Sequence, residues 1–314
     1  MLRELQFSDL IFNPSGEVVV KGAPGAEGAS RPPQEVEDEL RVLREQVVAA
    51  TEKKQDANLL FDGVSYRLKR MDGNHEEQTE PCYYLRKGLP YIRPMAEWGY
   101  PDSLIEELCG PANKTGLILF AGSPGAGKTT GASSFFVERL KRNGGTGITV
   151  ECPCELPLAG WHGPSGWCQQ TEVRTEKDMG KKVEETFRCG SPNILYLGEI
   201  REGHAAVEVL RGAITSYLVV STIHAESIEM ACLRMVQLAQ EHISWEAAQG
   251  FLSQAFTACI HQELRGPSGH RHLKFQSLIR TPPVIGKLAN GRFSQLSDDI
   301  HSQERLRMGQ GTPR

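Results

Sequence analysis

The stretch Gly122-Ser123-Pro124-Gly125-Ala126-Gly127-Lys128-Thr129 follows the spacing GxxxxGK[ST], and its surroundings constrain the fold on both sides. The apolar run GLILFAG (116–122) enters it. TTGASSFFVERLKR (129–142) leaves it, with Ala132, Phe135, Phe136 and Leu140 on one helical face. A strand must therefore turn sharply into a helix, and glycines let successive main-chain N–H groups point inward at the turn. This makes an anion nest at a helix N-terminus. Lys128 brings a point charge for the outer phosphates of a nucleotide and the Thr129 hydroxyl a ligand for Mg2+; Thr130 completes the expected loop contacts. A merely flexible glycine-rich turn does not require that strand and helix.

Three further apolar runs, GITV (147–150), NILYL (193–197) and YLVVSTI (217–223), alternate with amphipathic stretches such as HAAVEVLRGAI (204–214). Short apolar runs bounded by turn residues suit buried strands of a parallel sheet covered by helices, so the reading is a doubly wound α/β domain. In such sheets ligands bind outside the carboxyl ends of the strands. Those ends carry Glu151, Gly198-Glu199 and His224. Glu199 is the candidate to orient and activate an attacking water. Glu151 could hold a Mg2+-bound water or share the base role, and His224 could donate a hydrogen bond to a γ-phosphate. The plainer alternatives are solvated strand-end carboxylates and a satisfied core histidine. Arg188, Arg201 and Arg211 lie near the strand ends or on a following helix, where an arginine can stabilise transition-state charge or simply face water.

The first hundred residues read as a separate, smaller α+β module. GAPGAEGASRPPQ (22–34) is a loop or linker, and EVEDELRVLREQVVAA (35–50) spaces Val36, Leu40, Val42, Leu43, Val47 and Val48 near a helical period. GVSYRLKRM (63–71) and PCYYLRKGL (81–89) read as strands around a polar loop at 72–80. The expected domains are 1–105 and 106–314.

Composition narrows the partners. With a formal net charge of −4 over 314 residues, the chain has no global basic field, so nucleic-acid contact is not indicated. No apolar run is long enough to span a bilayer, and MLRELQFSDL lacks the apolar stretch of a signal peptide, so a cytoplasmic protein that meets membranes through partners is expected. The eight cysteines are then expected as free thiols. Cys152, Cys154, His162 and Cys168 lack paired Cys-x-x-Cys spacing, which favours buried or loop thiols over zinc.

The order of these motifs resembles that of the secretion or traffic ATPases of type IV pili and type II and type IV secretion. The likeness is greatest to the pilus-retraction, PilT-like branch and to the Dot/Icm ATPase DotB. GSPGAGKT (122–129) corresponds to the family's Walker A loop, TVECPCE (149–155) to its Asp box, LGEIR (197–201) to its Gly-Glu Walker B and STIHAES (221–227) to its His box. FSDLIF (7–12) is similar to the family's opening strand, WGYP (98–101) to its interdomain approach and TPPVIGKLANGRFSQL (281–296) to the retraction branch's C-terminal helices. The resemblance implies a ring-shaped hexamer of subunits with a PAS-like N-terminal domain and a RecA-like motor. It also implies ATP and Mg2+ as ligands, with ATP between the two domains, and partners in an inner-membrane platform or secretion channel. Gly198-Glu199 carries over as the Walker B pair and His224 as the His-box histidine; with Glu151 and Arg201 from the strand ends, Glu199 and His224 are the expected catalytic residues, and Arg86 and Arg93 are loosely matched N-terminal arginines. There are departures: Cys152 stands where the family has Asp, leaving Glu151 and Glu155 as the box's acids. Thr171 stands in place of an Arg, Ser216-Tyr217 in place of Gly-His, and Gly286 and Lys287 in place of Arg and Asn.

The leading expectation is an ATP-hydrolysing motor for a retraction-like type IV pilus or a type IV secretion or conjugation machine, peripheral to the inner membrane. One alternative is a nucleotide-gated assembly factor that binds ATP with negligible turnover, Cys152 having crippled it. Another is a P-loop small-molecule kinase, for which the sequence offers neither lid nor acceptor pocket.

Overall fold

A computed structural model describes residues 1–26, 28–52, 55–72, 81–88, 91–188, 192–215, 217–266 and 272–310. Cys189, Ser216, Leu89 and the polar stretch 73–80 lie outside them. The chain divides into two compact units, one built on Met1–Tyr91 and Glu155–Pro157, the other on Ile92–Cys154, Leu158–Arg265 and the chain from His272 onward.

The first unit is an antiparallel sheet with one helix. Its strands are β1 (Asp9–Phe12), β2 (Val18–Lys21), β3 (Ala29–Ser30), β4 (Asp56–Phe61), β5 (Val64–Met71) and β6 (Cys82–Lys87), in the order β3-β2-β1-β6-β5-β4. Alternation in β5 turns Val64, Tyr66 and Leu68 inward. The apolar pattern did not announce β4. It is fixed by the two-residue hairpin Asp62-Gly63, both with positive φ, the geometry that matches the twist of paired strands. Helix α1 (Glu37–Thr51) buries Leu40, Leu43 and Val47, while Val42 and Val48 stay 43% and 44% exposed. Two of the six apolar residues that marked this helix thus fall outside its buried stripe. The 22–34 segment is also not all loop, since β3 lies within it.

The second unit carries an eight-stranded sheet ordered β14-β13-β7-β12-β11-β8-β10-β9. Its strands are β7 (Gly116–Gly122), β8 (Gly145–Glu151), β9 (Gly160–His162), β10 (Gly166–Glu172), β11 (Ile194–Leu197), β12 (Leu218–His224), β13 (Phe256–Arg265) and β14 (His272–Ile279). The six inner strands are parallel and the two edge strands antiparallel. The helices are α2 (Asp102–Cys109), α3 (Lys128–Asn143), α4 (Asp178–Arg188), α5 (Gly203–Thr215), α6 (Ile228–Ala239), α7 (Trp245–Ala255), α8 (Pro282–Ala289) and α9 (Leu296–Gln310).

Strand β7 shows why the sheet must be covered on both faces. Leu117, Leu119 and Ala121 join one core, while Ile118 and Phe120 join the other with Phe135 and Phe136 of α3. The four expected strands are all present. Strands β10 and β13 went unread because polar residues interrupt them, GWCQQTE and FTACIHQELR giving no continuous apolar run. At the C-terminal end Thr281 caps α8, its hydroxyl accepting from the Val284 N–H, and Lys287 pairs with Asp299 at 2.6 Å.

His261 of β13 is buried, and burial lowers its pKa against the opposing pull of Glu263 and Glu229. The unfolded chain therefore binds the proton more readily than the native one. Its stabilising contribution is complete above about pH 6.5 and is lost as pH falls toward the depressed native value. His261→Gln is expected to show a shallower fall in melting temperature between pH 7 and pH 5 than the parent protein, measured by thermal unfolding across that range.

Candidate functional site

Parallel register brings the polar strand ends to one edge of the sheet. His224 pairs with Gly122 across β12 and β7, Leu197 with Ser221 across β11 and β12, and Leu197 with Val150 across β11 and β8. The phosphate loop, Glu199, Glu151 and His224 are therefore neighbours because the strands that carry them are neighbours.

At the loop, Gly125 and Gly127 have φ of +77° and +82°, left-handed values that a side chain would strain. Gly127 is the N-cap of α3 and gives it no side-chain cap, so first-turn N–H groups stay available to an anion. Ser123, Pro124 and Gly125 are exposed, Ala126 and Lys128 buried, and Thr129 and Thr130 half-buried.

Lys128 is only 7% exposed; its ammonium donates to the Ser123 carbonyl at 3.1 Å and stands 3.2 Å from His224 Nδ1. An ammonium can only donate, so Nδ1 accepts and the neutral imidazole carries its proton on Nε2. That nitrogen lies 3.0 Å from Glu199 Oε1. The alignment falls short of a hydrogen bond, and Oε1 is buried with no hydrogen-bond partner among the described residues. The other carboxylate oxygen, Oε2, accepts from Arg201 at 2.8 Å, and Arg201 also reaches Glu176. Burial first, then the Lys128 charge, lower the pKa of His224, while Glu199 pulls it the other way. A neutral imidazole fits that balance.

Glu151 is 2% exposed and differs from Glu199 in being well satisfied. Its Oε1 accepts from Thr149 Oγ1 at 2.7 Å and from Gln170 Nε2 at 2.9 Å. The neighbouring thiol of Cys154 hydrogen-bonds to it, and burial pushes that thiol's pKa up. Gly198 of the Gly-Glu pair lies against Glu151, where a Cβ would stand 3.4 Å from its Cγ, an ordinary contact. The His-box strand braces the same turn: Ser221 Oγ donates to the Leu197 carbonyl and Thr222 Oγ1 to that of Gly198, both at 2.7 Å.

Of the expected site residues, the structure joins Lys128, His224, Glu199 and Arg201 in one chain of contacts and sets Glu151 beside Gly198. Arg188 and Arg211 pair with Glu184 and Glu208 on their own helices. Arg86 pairs with Asp9 at 3.1 Å, and Arg93 stacks over Trp98. Cys152 is half-buried against the larger core, its thiol pKa raised by burial and by Glu176, Glu172 and Asp178. Cys168 is buried, its pKa pushed up to about 12. Sequence reasoning overlooked Gln170, Thr149, Glu176, Tyr100 and Gln262. For Gln170, Thr149 and Gln262 a glutamine or hydroxyl inside a strand was the available signal, since a polar side chain in a buried sheet needs a partner.

Solved structures of similar fold include the pilus retraction motor PilT with bound ADP, at TM-score 0.76 and 22% identity, covering 99% of this chain and 92% of that one. The Legionella pneumophila ATPase DotB superposes at TM-score 0.72 and 17% identity, covering 98% and 89%. They show the fold: a RecA-like P-loop domain preceded by an antiparallel-sheet domain. Among curated relatives, competence protein ComGA of Halalkalibacterium halodurans is 27% identical over 213 residues, 65% of this chain and 50% of its own length. The chain spans half of that relative and under a third of others such as HofB homolog and type II secretion system protein E. Residues 102–276, more than half of the chain, match the family model described as type II/IV secretion system protein, and the chain belongs to this family of secretion and pilus ATPases.

Proposed function

We propose that the chain is an ATP-hydrolysing motor subunit that works as a homo-oligomer, a hexamer by family likeness. It would stand at the cytoplasmic face of a type IV pilus (retraction-like) or of a secretion or conjugation machine, docked on inner-membrane platform or channel proteins. One observation carries the reading. The loop lysine and the strand-end glutamate are two contacts apart, bridged by His224, beside a helix start that has no cap of its own.

The residues fit ATP with Mg2+. The uncapped amides and the Lys128 ammonium suit phosphate oxygens, and the Thr129 hydroxyl would hold the metal, which when bound neutralises charge on the phosphates. Glu199 Oε1, buried and without a hydrogen bond among the described residues, is the group best placed to accept a proton from water. His224 stands between that carboxylate and the lysine, and Arg201 fixes its other oxygen. Glu151, already satisfied by Thr149, Gln170 and Cys154, suits a supporting acid rather than the base.

Phosphate release from ATP is the test. The wild-type protein is expected to release inorganic phosphate in the presence of Mg2+ and to stop when the metal is chelated. Labelled phosphate appearing on an acceptor other than water would instead support the small-molecule kinase.

A further inference from the structure

We propose that Gln262 and Tyr100 form a buried strut that positions the phosphate loop, and so set its affinity for nucleotide rather than the rate of the chemical step. The proposal rests on the reading of this loop as an ATP site.

Gln262 lies on β13, one residue beyond the pair that His261 makes with Ala121, and so beside the residue where β7 opens into the loop. It is 2% exposed. Its Nε2 donates to the Ala126 carbonyl at 2.9 Å, and its Oε1 accepts from the Tyr100 hydroxyl at 2.8 Å. A buried amide placed in this way costs little only while both ends are paired. The Tyr100 ring is in turn held against Phe275, with centroids 5.1 Å apart.

Glycines make room for the strut. A Cβ at Gly127 would lie 3.1 Å from Gln262 Nε2. At Gly131 a Cβ would meet Gln262 Oε1 at 2.6 Å and Tyr100 Oη at 2.7 Å. Gly131 lies outside the GxxxxGK[ST] spacing, so the nucleotide does not explain it; the strut does. The void beside these groups, edged by Trp98, Thr130 and Leu264, is about 30 Å3. That is room for about one water and not for a ligand, so the pair acts as a buttress.

None of these side chains reaches Glu199 in any contact described above, so loosening them should disturb the amide cradle and leave the base alone. The test is steady-state hydrolysis by the full chain, with KM and kcat separated, and a melting temperature for each variant. Tyr100→Phe removes one oxygen and is expected to raise KM for ATP several-fold with kcat within about twofold. Gln262→Met keeps the volume, loses both bonds and is expected to raise KM tenfold or more. Tyr100→Phe added to Gln262→Met should cause no further rise, because its partner has gone. If Gln262→Met does not fold, Tyr100→Phe and its KM decide alone. Unchanged KM in folded variants, or a fall in kcat at constant KM, overturns the strut and leaves the ATPase reading intact. A wild-type protein that binds no ATP overturns both.

Discussion

Lys128→Ala is expected to lower nucleotide affinity by about 10^2- to 10^4-fold, and turnover with it. Hydrogen bonds to charged groups contribute about 1.5–3 kcal/mol each, and an ammonium at the outer phosphates would make two of them. The contacts of the lysine explain why the loss is not made up elsewhere. Lys128 Nζ has the Ser123 carbonyl and His224 Nδ1 as partners, neither of which can meet a phosphate with positive charge. Because the side chain is buried, truncation also empties its stem. Lys128→Met separates the two effects by keeping the stem without the charge, and should be nearly as deficient. Titration of a fluorescent ATP analogue measures both variants. Affinity within twofold of wild type would place the phosphates elsewhere.

How far the sequence led depends on what kind of interaction fixed each part. The strands bearing the loop, Glu151, Glu199 and His224 were legible because each is a short apolar run ending in a polar group, and burial on two faces demands such runs. Their adjacency was not legible from period alone, since the order β7-β12-β11-β8 follows from right-handed crossovers rather than chain order. Strands β10 and β13 stayed hidden for a different reason. Gln170 and Gln262 break the apolar pattern, and they break it because each donates to the site, to Glu151 and to Ala126. The residues that blur a strand in sequence are here the ones that support the chemistry. In the first unit the opposite error arose: Val42 and Val48 look like core but face solvent, because a helix against one sheet buries a single stripe.

Glu199→Gln is expected to cut phosphate release by about 10^2- to 10^4-fold, the range that a positioned general base contributes, while nucleotide affinity stays within a few-fold. The amide has the shape of the carboxylate, so its oxygen can still accept from Arg201, as Glu199 Oε2 does at 2.8 Å. The difficulty falls on the other side. The amide nitrogen would stand close to His224 Nε2, 3.0 Å from Oε1 in the native protein, and that nitrogen carries the imidazole proton because Lys128 occupies Nδ1. Two donors cannot share that position, and moving the imidazole proton to Nδ1 sets it against the Lys128 ammonium. The substitution therefore removes the proton acceptor and disturbs the histidine contact together, yet leaves the glycine cradle and its lysine in place to bind phosphate. The signature is opposite to that of Lys128→Ala: tight binding and slow turnover, against weak binding. Steady-state phosphate release and analogue titration on both variants distinguish them. If the wild type releases phosphate no faster than Glu199→Gln while both bind ATP, hydrolysis is not the protein's work. The loop would then gate assembly by binding alone.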